Sequence, residues 1–262
     1  VVSGTGHMAC GDQVQRQVAV LILALVAAAL VLGTSHALPG IDLNVSSLFC
    51  GTDSAGAAAG MDARTCRSFP VSSWPAFWIV RKILFYLPPT AFVLLLVAIG
   101  RAGLFDRLPD AGRQRALAFA ALAYFTGPIL IANMMLKAWS GRPRPYQSLI
   151  HGSDMAFVPA GDFSGACRDN CSFVSGEAAA AGWLLWLIPL LPRRWRGPLA
   201  RVLIAASVLT PLLRVAMGGH FLSDALLGWL LGVASLPLVI ILATLANQLW
   251  NRRLRFSSQP PT

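Results

Sequence analysis

The run ALAFAALAYFTGPILIANMML, Ala116–Leu136, holds 21 residues without a charge and is bounded by Arg115 and Lys137. A bilayer core asks for about 20 apolar residues in a helix. This stretch therefore reads as a membrane-spanning helix with a basic residue at each end. The pattern recurs on both sides of it. Val18–Leu32 continues without a charge to Ala37, which predicts a span over 17–37. Its strict apolar run is short, and a cleavable leader is the competing reading. Ile83–Ile99 lies between Arg81-Lys82 and Arg101, with a kink expected at Pro88-Pro89, and predicts a span over 83–100. Further spans are expected over 116–136, 177–191, 198–217 (with Arg214 inside it) and 225–250, the last ending before Arg252-Arg253. The chain thus reads as all-α, an integral membrane bundle of six transmembrane helices, with 1–262 forming a single domain.

Composition agrees with that reading. Of 262 residues, 56% are hydrophobic and 12% charged, with a mean hydropathy of +0.63. Soluble domains carry about 25% charged residues, and so few charges cannot cover a water-facing surface. Disorder, a collagen-like fibre and a small disulfide scaffold are excluded on the same numbers. The net charge of +10 comes from 21 Lys+Arg against 11 Asp+Glu. Basic loops flanking membrane spans account for it. With no separate soluble basic domain, nucleic acid is not an expected partner; the expected partners are the membrane and a lipid.

The loops Arg101–Arg115 and Pro192–Arg201 carry four arginines each, and the tail adds Arg252, Arg253 and Arg255. The positive-inside rule places these in the cytoplasm with both termini. Arg81 and Lys82 then fall on the unexpected side. Cys50, Cys66, Cys167 and Cys171 fall outside and Cys10 inside, which suits an oxidising outer compartment. Four cysteines allow three pairings, of which Cys50–Cys66 with Cys167–Cys171 is favoured. The stretch Ser54–Gly60 reads as a flexible loop.

The same topology gathers polar residues at the outer ends of four helices. Lys137 closes the third span and Arg142 and Arg144 follow it between prolines. Ser175-Gly176-Glu177 opens the fourth span, and a Ser-Gly helix start offers free N–H groups to an anion. Arg214 sits in an apolar segment, where a charge must find a partner. His220 and Asp224 are four residues apart, which on one helix puts them on one face. There Asp224 would hold His220 Nδ1–H and leave Nε2 free to react. Cations, a helix start and a His–Asp pair suit a phosphate and a nucleophile.

These residues resemble the signature of the type 2 phosphatidic acid phosphatase (PAP2) superfamily, whose soluble relatives include the vanadium haloperoxidases. That signature has three parts, K-x6-R-P, P-S-G-H and S-R-x5-H-x3-D. The first stands here as Lys137-x6-Arg144-Pro145. The third stands as Arg214-x5-His220-x3-Asp224, with Leu213 for the leading Ser. The middle part is Val174-Ser175-Gly176-Glu177, with Glu177 in place of its His. The resemblance implies a PAP2/haloperoxidase-like helical core, no cofactor, and metal-independent hydrolysis of a lipid phosphate. It implies His220 as a nucleophile forming a phosphohistidine, oriented by Asp224. It also implies Lys137, Arg144, Arg214, Ser175 and Gly176 as ligands of the phosphate oxygens.

The family's middle His is assigned as the acid for the leaving oxygen. Three readings of the departure stay open in sequence: Glu177 is the acid, the leaving group departs without one, or activity is weak. His151, in the same outer loop, is a further candidate acid. The substrates the resemblance implies are lipid A, undecaprenyl diphosphate, phosphatidate and phosphatidylglycerol phosphate, met on the periplasmic face of a bacterial inner membrane. The alternatives are a lipid phosphotransferase using the same site and a catalytically weak protein that binds or transports anionic lipid.

Overall fold

A computed structural model describes residues 4–51, 68–105, 111–149 and 153–257. Cys66, His151 and the Ser54–Gly60 stretch lie outside these, so the expectations placed on them are untouched. Among the described residues the regular structure is helical and there is no β-strand. In chain order the helices are α1 (Gly4–Ala37), α2 (Gly40–Leu48), α3 (Pro75–Phe105), α4 (Ala111–Tyr124), α5 (Gly176–Trp183), α6 (Arg196–Ala216) and α7 (Leu222–Ser257). One further turn, Pro70–Ser73, precedes α3. Among the described residues, five helices are long and apolar enough to cross a membrane: Asp12–Ala37, Pro75–Arg101, Gly112–Trp139, Arg196–Ala216 and Leu222–Arg253. The segment expected as the fourth span is shorter: α5 runs straight into a 3-10 helix, Leu184–Leu190. The chain is a multi-pass membrane protein.

Two differences from expectation bear on the site. α3 begins at Pro75, not at 83, because Pro is well placed at a helix start. Arg81 and Lys82 are therefore helical residues near its beginning rather than loop anchors. Pro88 and Pro89 sit within α3 without ending it. α4 continues as a π-helical segment, Phe125–Leu136, containing Pro128, and finishes in the turn Lys137–Trp139. The wider winding goes with an unusual bond: Asn133 Nδ2 donates to the carbonyl of Pro128, five residues back, at 2.7 Å.

Apolar residues face outward in large number, as lipid contact allows: Leu23, Leu30, Ile83, Leu94 and Leu249 are all exposed. The seam between α5 and α7 is built from small residues instead. α7 packs chiefly on α5 and α1. Its Gly228 and Gly232 lie against the backbone carbonyls of Ser175 and Ala179, and Gly182 of α5 lies against that of Trp229. A Cβ at any of the three would collide with main chain. Spacing small residues four apart lets helix backbones touch, which is how membrane helices gain packing without a hydrophobic drive. Below this seam Tyr124 rests between Phe92 and Trp183, with ring centroids 4.8 and 4.6 Å away. Trp183 is fully buried and spends its indole N–H on the Ala120 carbonyl at 2.8 Å.

Candidate active site

The connection between the Lys137–Trp139 turn and α5 folds back across the helix ends. Cys167 N donates to Gly141 O at 2.9 Å, and Ser172 N to Arg142 O at 2.8 Å. Cys167 and Cys171 form a disulfide. The second approach comes from the α6–α7 turn, where Gly218 has φ +65°, a left-handed value that favours glycine. Phe69 and the Arg214 guanidinium leave no room for side chains at 218 and 219. His220 follows, buried, just before α7 begins.

Two adjoining chambers open here. One, of about 370 Å³, is lined by Lys137, Arg144, Asn170, Gly176, Glu177 and His220 among others. The second, of about 520 Å³, is lined by Arg214, Tyr146, Trp78 and Phe69. Arg81 and Arg144 line both. Arg144 is braced by Asn170, donating Nε to its carbonyl at 2.9 Å and Nη2 to its Oδ1 at 2.7 Å. Asn170 has φ 47°, a backbone that Asn tolerates better than most residues. Glu177 faces two guanidiniums through one oxygen: Oε1 is 2.8 Å from Arg81 Nη2 and 3.5 Å from Arg214 Nε.

His220 Nδ1 lies 2.8 Å from the backbone carbonyl of Ser172. A carbonyl only accepts, so Nδ1 carries the proton and Nε2 is the basic nitrogen. Burial, first, and then Arg214, Arg144 and Lys137 hold the imidazole well below its ordinary pKa, against a weaker upward pull from the Ser172 carbonyl. His220 is therefore neutral at neutral pH, the state a nucleophile needs.

Asp224 does not hold Nδ1, contrary to the expectation from spacing. His220 is outside the helix, so the four-residue interval does not put both on one face. Asp224, third residue of α7, reaches back to the N–H of Phe221 at 3.1 Å, one half of a capping box. The same Oδ2 accepts from Ser172 Oγ at 2.5 Å. It reaches the imidazole only through Ser172. Ser175 is likewise spent locally: it is buried, and its Oγ caps α5 by accepting from Ala178 N at 3.3 Å. The neighbouring Gly176, not Ser175, lines the chamber.

Arg142 has a different place from Arg144. It is fully buried, with Nη1 on Asp224 Oδ1 at 2.5 Å and on Ser223 Oγ at 2.9 Å. Its Nη2 meets Asp42 Oδ2 at 2.8 Å and its Nε the Val158 carbonyl at 2.8 Å. Burial alone would lower its pKa, but the Asp224 and Asp42 carboxylates outweigh that and raise it. Asp42, on α2, also accepts the Ser223 N–H at 2.9 Å, capping α7 from another element. One guanidinium thus joins both carboxyl groups, Asp42 and Asp224, in a single buried cluster. Asp42, Ser172, Asn170 and Arg81 are site residues that spacing did not reveal. Among the described residues, no three His, Cys, Asp or Glu side chains gather as a metal site requires.

A neutral buried histidine ringed by cations at one end of a helical membrane bundle is the arrangement of a phosphoryl-transfer enzyme. The family model described as the PAP2 superfamily matches residues 116–248, and the chain belongs to that family; it is a phosphatase. Two relatives are each named "Lipid A 4'-phosphatase". The one from Rhizobium leguminosarum is 42% identical over 76% of this chain and 85% of its own length. The one from Rhizobium etli is 43% identical over 76% of this chain and 77% of its own. A crystal structure of a transmembrane PAP2 type phosphatidylglycerolphosphate phosphatase from Bacillus subtilis aligns with a TM-score of 0.49 at 23% identity, covering 87% of this chain and 96% of that one.

Proposed function

We propose that this protein removes a phosphate from lipid A, without a metal and through a phosphohistidine. The observation that carries the reading is the bond that orients the His220 ring: Nδ1–H on the Ser172 carbonyl, in a chamber shared with Lys137, Arg144 and Gly176. Two relatives named for lipid A, each above 40% identity, support that lipid among the phosphorylated lipids the motif allows.

In the first step His220 Nε2 forms a bond to phosphorus and the bond from phosphorus to the sugar oxygen breaks. Lys137, Arg144, Arg214 and the Gly176 N–H take up the charge on the non-bridging oxygens. The imidazole becomes cationic on phosphorylation. The Ser172 carbonyl, accepting from Nδ1–H, favours that cation. The leaving oxygen takes a proton from water; Glu177, paired with Arg81 and Arg214, lines the same chamber. Water then attacks phosphorus, the P–N bond breaks, and orthophosphate leaves.

The whole chain acts as one domain in this reading, in a bacterial inner membrane with both termini cytoplasmic and the site periplasmic. The disulfide Cys167–Cys171 beside the site supports an oxidising side. Phosphate release from purified lipid A, undecaprenyl diphosphate, phosphatidate and phosphatidylglycerol phosphate, with EDTA present, tests the whole. Lipid A is the expected substrate, and His220→Ala abolishes release at an unchanged melting temperature. Release from the other lipids with none from lipid A rejects the substrate. Loss of activity to EDTA rejects the metal-free mechanism.

A further inference from the structure

Arg81 belongs to no part of the signature, and the sequence marks it only as a charge on the unexpected side of the membrane. The structure gives it a place. Arg81 lines both chambers, as among the described residues only Arg144 also does. Arg81 Nη2 is bonded to Glu177, while its buried Nε has no hydrogen-bond partner. Arg214 repeats the pattern: its Nε points at the same Glu177 oxygen from 3.5 Å, too far for a hydrogen bond, and is also buried without one. Two guanidiniums thus converge on one carboxylate oxygen and each keeps a donor unspent. Unspent buried donors are destabilising, and an acceptor with several charged oxygens relieves both at once. A carboxylate oxygen shared between two arginines marks where an anion rests between them.

We infer that Arg81 is a fourth cationic ligand of the substrate phosphate and that Glu177 is the resident counter-anion which the phosphate displaces from Arg81 and Arg214. The inference rests on the phosphatase reading of the site and extends it. Lys137, Arg144, Arg214 and Arg81 against Glu177 leave three net positive charges for a phosphate dianion. Without Glu177 four like charges would face one another across the two chambers. The glutamate at 177, where the family's signature has His, thus goes with an arginine at 81.

The test is orthophosphate binding to the full-length chain in detergent, measured by thermal shift in the His220→Ala background. A parallel arm measures orthophosphate as a competitive inhibitor of lipid A hydrolysis by the otherwise wild-type enzyme. Arg81→Gln is expected to weaken orthophosphate binding and raise KM by about 10–100-fold, the range for a lost hydrogen bond to a charged group. Arg81→Lys keeps the charge but not the fork, is expected to lose less, and serves if the glutamine variant does not fold. Glu177→Gln removes the competitor and is expected to tighten orthophosphate binding several-fold, an effect that shrinks when Arg81 is also changed. A binding constant within twofold of wild type in both Arg81 variants overturns the assignment. Weaker or unchanged binding in Glu177→Gln overturns the displacement. If no lipid is hydrolysed yet orthophosphate binding depends on Arg81, the catalytic reading fails and this one stands.

Discussion

Replacing Arg142 by Met tests whether the buried charge cluster holds the site together. The side chain is wholly enclosed and makes four hydrogen bonds, to Asp42, Ser223, Asp224 and the Val158 carbonyl. Its guanidinium also stacks 4.6 Å from the Phe221 ring. Methionine fills much of the volume but leaves Asp42 and Asp224, both 0% exposed, without a cation. Breaking a buried pair by removing one partner costs about 3–5 kcal/mol. At about 2–4 °C per kcal/mol for a chain of this size, the melting temperature falls by about 6–20 °C. Intrinsic tryptophan fluorescence during a thermal ramp in detergent reads the change. Adding Asp42→Asn removes one stranded charge and recovers part of the loss, whereas independent effects would add. A fall of less than about 2 °C, or a double variant worse than the sum of its parts, refutes the reasoning.

The pH dependence follows from His220. Its folded pKa lies well below that of the unfolded chain, so the imidazole stays neutral as pH falls through 6.5. The acid limb of kcat/KM is therefore expected below that value, and a limb at or above pH 6.5 counts against His220 as the nucleophile. The unfolded chain binds its proton first, so the fold loses stability as pH drops below about 6.5, and His220→Gln lessens that loss. At the helix seam, Gly232→Leu drives a side chain into the backbone of Ala179. It is expected to destabilise by about 1–3 kcal/mol or more, and an unchanged melting temperature would show that α5 and α7 are not in tight contact.

What could be read from sequence is what is local. The third span is visible because Ala116–Leu136 is uninterrupted. Lys137, Arg144, Arg214 and His220 were legible because each stands at a fixed interval within a helix end or turn. Arg81 was not, because a basic residue beside an apolar run looks the same whether it anchors the helix or faces a chamber. Asp42 was beyond reach for another reason. It meets Ser223 across 181 positions, and no spacing rule connects them. The His220–Asp224 relation departs from the spacing because His220 stands outside α7, with Phe221 between it and the helix start. An offset that small changes which atom the carboxylate touches, and sequence places helix ends no better than that.

The acceptor that sets the tautomer of His220 is a main-chain oxygen. A residue without a hydroxyl at position 172 therefore loses the tie to Asp224 without touching the proton on Nδ1. The proton on Nδ1 and the tie to the carboxylate are thus separable, and Ser172→Ala is expected to remove the second while keeping the first.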